Sequence, residues 1–166
     1  MKKLYSWIEI VLAIFFLTIF VWVYFSAHPA NPNSIKPSVS VVETVNTPTY
    51  THVLHIGKAD LLVAVADTDA LRTLGLSFTK PLRSEEGMIF EFPNPMPVSF
   101  WMKDMRYPLD IIWISTDKKV VGYVENFQPN SYPKTVSPKV LVQYVLEVPA
   151  GFVHTNGITF GNIVSF

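Results

Sequence analysis

Within Ser99-Phe100-Trp101-Met102-Lys103, polar and aromatic side chains alternate with apolar ones. Side chains of an extended segment alternate between two faces with period two. Ser99, Trp101 and Lys103 are therefore expected on one face, with Phe100 and Met102 turned into a core. A hydroxyl, a large aromatic plane and an ammonium on one face form the kind of lining that holds a small ligand, with apolar surface supplying contact and a few polar groups fixing orientation. The competing reading is structural: Lys103 pairs with Asp104 or Asp110, and Trp101 merely packs.

Asp110 directly precedes the apolar run Ile111-Ile112-Trp113-Ile114, which places its carboxyl at the mouth of a buried strand. It could accept from a ligand hydroxyl or amine, or it could bond backbone amides of the Asp104 to Pro108 loop, as turn aspartates commonly do. Glu147 and Glu125 each lie near the end of an expected strand and admit the same two readings. Asp110 with Glu147 could serve as acid and base in a hydrolase or isomerase, provided that the fold brings the two carboxyls together.

Other chemistries find little support in the chain. His52 and His55 are three apart in an extended segment, so they face opposite ways and do not readily share a metal; His154 stands alone. Nucleophile elbows and glycine-rich phosphate loops are absent from the sequence, as is cysteine, so thiol catalysis and thiolate metal sites are excluded. Methionine and phenylalanine cluster at Met88, Phe90, Phe92, Met96, Met102 and Met105. That density reads as core, and as a copper site only weakly. No catalytic residue, metal or cofactor is assigned. With 13 basic and 13 acidic residues and no basic run, nucleic-acid binding is disfavoured.

The elements that must position these residues read as a sheet. Short apolar segments separated by Pro, Gly and Asn recur from Asp60 onward. Strands are expected at Asp60–Ala66, Met88–Phe92, Val98–Met102, Leu109–Ser115, Val120–Glu125, Val140–Val148 and Ile163–Phe166. Asp67-Thr68 offers the cap of a short helix that Gly75 stops, and a helical turn over residues 149–154 ends at Asn156-Gly157. Thr116-Asp117-Lys118-Lys119 forms a hairpin turn. Ile111 to Ile114 shows no alternation and is read as a central strand buried on both faces. Val142, Tyr144, Leu146 and Val148 alternate with Gln143, Val145 and Glu147, the pattern of a half-buried strand. The fold class is mainly β (α+β), a compact barrel-like or strongly curved sheet with one or two short helices.

Ahead of this domain, Leu4 to Phe25 is an almost unbroken apolar run. About 22 helical residues at about 1.5 Å each span roughly 33 Å, enough for a bilayer core. Tyr5 and Trp7 mark one boundary, Trp22 and Tyr24 the other, and Lys2 and Lys3 place the short end in the cytoplasm. A cleaved signal peptide fits less well, because the run is long and Phe25-Ser26-Ala27 is a poor cleavage exit. The expected organisation is a transmembrane anchor over residues 1–25, a Pro-rich extracytoplasmic tether over 26–48 and a folded domain over 49–166. The protein would be single-pass in the cytoplasmic membrane, with its domain outside.

Gly75-Leu76, Leu82, Glu86-Gly87-Met88-Ile89-Phe90-Glu91-Phe92, Ser99 to Lys103, Pro108 to Ile114, Val145 to Phe152 and Asn156-Gly157-Ile158 occur in an order that resembles the family catalogued as domain of unknown function 192 (DUF 192). The resemblance covers about residues 58 to 166. It implies a compact, mainly β domain, frequently exported behind a signal or anchor, with no established reaction. Family members often carry Met and Arg where this chain has Ser77 and Thr79, and an acidic residue where His154 stands. Trp101, Lys103, Asp110 and Glu147 match the family's blocks.

The leading expectation is a membrane-anchored domain that binds a small or envelope-derived ligand, or a partner protein, without catalysis. Ser99, Trp101, Lys103, Asp110 and Glu147 are its candidate ligand-binding residues. A carboxylate-pair hydrolase or isomerase of envelope carbohydrate or peptide, and a purely structural or assembly domain, are the alternatives.

Overall fold

The computed structural model describes residues 18–20, 22–24, 26–27 and 46–166. The chain divides into two compact units, Met1–Val42 and Glu43–Phe166. In the first, the described residues are helical and exposed. Most of the Leu4 to Phe25 run, and residues 28–45 of the expected tether, lie outside the described residues. Among the described residues, no helix is long and apolar enough to cross a membrane.

The second unit is built on a seven-stranded sheet curled into a half-barrel. Its strands in chain order are β1 (His52–Ile56), β2 (Ala59–Ala66), β3 (Glu86–Met96), β5 (Leu109–Ile114), β6 (Val120–Phe127), β8 (Val142–Pro149) and β9 (Val164–Ser165). They are ordered β6-β5-β8-β3-β2-β1-β9. All neighbours run antiparallel except β2 and β3, which are parallel because helix α1 (Asp69–Leu74) carries the crossover between them. Thr68 Oγ1 accepts from the Leu71 amide at 3.2 Å to open α1, and Gly75 at φ 49° closes it, as the sequence implies. At one end the curl draws the outer strands together. The Val120 amide donates to the Asn162 carbonyl and the Val164 amide to the Lys118 carbonyl.

The remaining pair is a short ribbon of β4 (Phe100–Trp101) with β7 (Thr135–Val136). The expected five-residue strand Val98–Met102 contracts to these two residues, because only they find an antiparallel partner.

Both faces of the sheet are covered. On one, Leu54, Ile56, Ile112, Leu146 and Val148 pack with helix α2 (Phe152–Asn156). On the other, Met88, Phe90, Ile111, Trp113 and Val145 pack beneath Leu76, Val98, Met102 and Tyr107. Strand β5 is buried along its whole length, as its lack of alternation requires. It is not the middle of the sheet, however, since only β6 lies beyond it. The half-buried reading of β8 is corrected: lying between β5 and β3, it buries Val145 and Glu147 as well as Leu146 and Val148.

Candidate functional site

Among the described residues, Glu147 is a buried acid without a charged partner. It lies on β8 opposite Met88 of β3 and Ile111 of β5. Directly opposed residues of antiparallel strands share a face, so an acidic side chain is flanked by two buried apolar ones. Glu147 is 5% exposed. Burial, with no compensating charge, pushes its carboxyl up to about 8. Among the described residues the carboxyl makes no hydrogen bond or ion pair, and no fully enclosed side-chain oxygen or nitrogen lacks a partner. Its oxygens must therefore open on accessible space.

That space is a cavity of about 360 Å³ between the sheet, α1 and the Pro97 to Met105 segment. Phe90, Phe92, Phe100, Trp101, Leu76 and Met105 give it an aromatic and aliphatic lining, and Glu147 contributes a carboxyl. Phe100 is fixed edge-on between Phe90 and Trp113, with ring centroids 4.9 and 5.6 Å away. Arg72 of α1 also borders the cavity, where three acceptors hold its guanidinium. It donates to the carbonyls of Asp67 and Glu91 and to the carboxylate of Asp69, each at 2.6 Å, and it lies over the Phe92 ring. Nearby, Tyr107 is bonded to the Thr79 hydroxyl at 2.5 Å, and burial raises its phenol to about 12, so it stays neutral.

Three of the five sequence-derived candidates meet at this cavity: Ser99, Trp101 and Glu147. The expected alternation of the Ser99 to Lys103 segment holds at Met102 but only in part at Phe100, which is half-buried and lines the cavity beside Ser99 and Trp101. Met102 is buried, whereas Ser99, Trp101 and Lys103 are exposed. Lys103 borders an adjoining shallow depression with Trp101, Phe78 and Asp104.

Asp110 is elsewhere. It pairs with Val148 in the β5–β8 register and thus shares that residue's face, the opposite one from Glu147. Its two carboxylate oxygens accept from the Asn126 amide at 2.8 Å and the Val153 amide at 2.9 Å. Asn126 lies where β6 gains one residue against β5, between Val124 and Phe127, so its amide falls out of the strand ladder. Val153 is in the first turn of α2, whose cap, Gly151, offers no side-chain acceptor. Asp110 thus satisfies backbone amides, though not those of the 104–108 loop. It is fully buried and does not pair with Lys103. Of the two readings of Asp110, this geometry fits the backbone-bonding one, and it sets Asp110 and Glu147 on opposite faces of the sheet.

Sequence reasoning passed over Arg72, Phe92 and Met105 as cavity residues. The Met and Phe density was the available signal, and reading it as core is correct for Met102 but incomplete for Phe90, which is buried and also lines the cavity, and for Phe92 and Met105, which line it too. Among the described residues, no three His, Asp or Glu side chains cluster as a metal site would require.

Comparison with known proteins places this arrangement in a family. A UPF0127 protein, TK1120, from Thermococcus kodakarensis is 26% identical over 104 residues, 63% of this chain and 64% of that protein. A UPF0127 protein of Thermococcus gammatolerans matches equally, at 26% identity over 63% of this chain and 65% of its own length. The chain thus spans less than two thirds of the length of the curated relatives it matches. Among solved structures, a proposed transcription regulator from Sinorhizobium meliloti 1021 superposes with a TM-score of 0.67 and 29% identity, over 72% of this chain and 97% of that one. A protein of unknown function from Novosphingobium aromaticivorans DSM 12444 gives the same TM-score at 26% identity, over 73% of this chain and 94% of that one. The family model of DUF192, described as "Uncharacterized ACR", matches residues 52–166, and the chain belongs to that family.

Proposed function

We propose that this chain is a non-catalytic binding domain, held outside the cytoplasmic membrane by its apolar N-terminal run, that takes a small ligand with an apolar body into the Glu147 cavity. The observation that carries the reading is an unpaired, buried carboxyl opening on an aromatic cavity. A polar group held at a cost in stability, where an apolar residue would pack, is the mark of a site. The Asp110–Glu147 pair that acid–base chemistry would need does not form, since Asp110 is on the other face and committed to backbone, and the other acid at the cavity, Asp69, is solvent-exposed and ion-paired with Arg72. The regulator designation of the S. meliloti relative belongs to that protein; equal numbers of acidic and basic residues give this chain no electrostatic bias toward DNA.

A thermal-shift screen of the full chain against small amphiphilic compounds, envelope sugars and peptides tests the reading, because a ligand of the native state raises apparent stability. Hits should stabilise the wild type and lose their effect in Ser99→Trp, which fills the cavity mouth. Hits that persist unchanged in that variant would exclude the cavity as the site.

A further inference from the structure

Resting on that reading, we infer that the ligand's polar group is an organic ammonium, seated against the Glu147 carboxylate with its apolar body among Phe90, Phe92, Phe100 and Trp101.

The charge balance of the cavity carries this. An anionic head group would need a cation not already neutralised, and among the described residues the cation that borders the cavity, Arg72, is ion-paired with Asp69 and also donates to two carbonyls. The Ser77 hydroxyl is likewise committed, donating to the Lys103 carbonyl at 2.9 Å. The Thr73 and Ser99 hydroxyls offer only neutral contacts, so among the described residues Glu147 is left as the buried ionisable group of the lining without a partner. As a carboxylate it can only accept, and its best partner in a dry, apolar site is a charged donor. The aromatic lining suits the same guest, since aromatic faces attract cations as well as alkyl surface.

Without ligand, burial keeps Glu147 mostly protonated at neutral pH. Binding a cation then expels the proton. The other ionisable groups near the cavity do not compete for this role. Tyr107 remains neutral, and Asp69 is solvent-exposed and paired with Arg72. Affinity for an ammonium should therefore fall roughly five- to tenfold per pH unit below about pH 8, with one proton released per ligand bound.

Calorimetry on the full chain with three probes sharing one body, 2-phenylethylammonium, 2-phenylethanol and phenylacetate, separates the outcomes. The ammonium should bind at least tenfold more tightly than either analogue at pH 8. It should weaken toward pH 6 and release about one proton, as read from two buffers of different ionisation enthalpy. Glu147→Gln should lower ammonium affinity at least tenfold, abolish its pH dependence and leave the alcohol within about threefold. Tighter binding of the alcohol or of phenylacetate would overturn the ammonium inference and leave the cavity reading standing. Ammonium binding that survives Ser99→Trp, or failure of all three probes to bind at millimolar concentration, would overturn both.

Discussion

Asp110 and Glu147 stand back to back on neighbouring strands, one residue out of register, so that the sheet itself separates two buried carboxyls. Asp110 uses both oxygens to satisfy two backbone amides that the fold would otherwise strand, at the β6 irregularity and the start of α2. Glu147 has no such partner and faces the cavity. Residues of one chemical class thus act in opposite senses, the first stabilising the domain and the second weakening it.

The sign of the Glu147 contribution can be measured. Its folded-state carboxyl titrates at about 8, against 4.5 for an ordinary glutamate. Between those values the folded protein holds a proton that the unfolded chain has released. The associated stability is complete below the lower value and is lost as pH rises through the upper one. Wild-type stability should fall relative to Glu147→Gln by on the order of 1 kcal/mol per pH unit across this window and level off beyond it. Urea midpoints of both proteins at pH 6, 7, 8 and 9 provide the comparison, and parallel profiles would refute it.

Replacing Asp110 should do the reverse. Asp110→Asn keeps the shape but turns an amide NH₂ toward a backbone N–H, leaving one buried donor without an acceptor. The loss should be about 2–3 kcal/mol, the cost of an unsatisfied buried group plus the hydrogen bond removed. Hydrogen exchange should localise the damage, with reduced protection at the Asn126 or Val153 amide. Unchanged exchange at both would mean that Asp110 does not hold them.

How much of this was legible in the sequence depends on the range of the interaction. Period-two alternation singled out Met102 as core and Trp101 and Lys103 as exposed, and the Asp67-Thr68 cap and Gly75 stop bounded α1, because both signals lie within a few residues. The opposition of Asp110 and Glu147 was not legible, since it depends on the register of two strands separated by β6 and β7. The alternation of β8 failed at its start for a similar reason. Val142 packs with Val145 on the cavity face because the β3–β8 register breaks between Glu91 and Met96. The cavity itself is assembled from α1, β3, β4 and β8, and no single segment announces it.

Gly87 tests the close approach that places Glu147. A Cβ at this position would lie 2.9 Å from the Glu147 carbonyl oxygen and 3.3 Å from Val148 Cγ1. Both belong to a buried strand that cannot retreat without disturbing the core. Gly87→Ala should cost about 2–3 kcal/mol, as overpacking typically does. Denaturant titration checks the value, and a change below about 0.5 kcal/mol would show that β3 and β8 have slack.

Alanine variants along the Ser99 to Lys103 segment should separate core from site within five residues. Phe100 is held edge-on between Phe90 and Trp113, and Met102 is 1% exposed, so truncating either should cost about 3 kcal/mol through lost contact and residual cavity. Trp101 is 46% exposed despite its size, and Lys103 is solvated, so their removal should cost less than about 1 kcal/mol each. Trp101→Ala should instead weaken any ligand that enters the Glu147 cavity, because the indole forms part of its wall. Lys103→Ala should leave that affinity within about twofold, since Lys103 borders the neighbouring depression. Denaturant midpoints and ligand titrations on the same four variants decide the matter. If Trp101→Ala proved as destabilising as Phe100→Ala, the indole would belong to the core, and the face that carries Ser99 and Lys103 would lose its claim to a binding role.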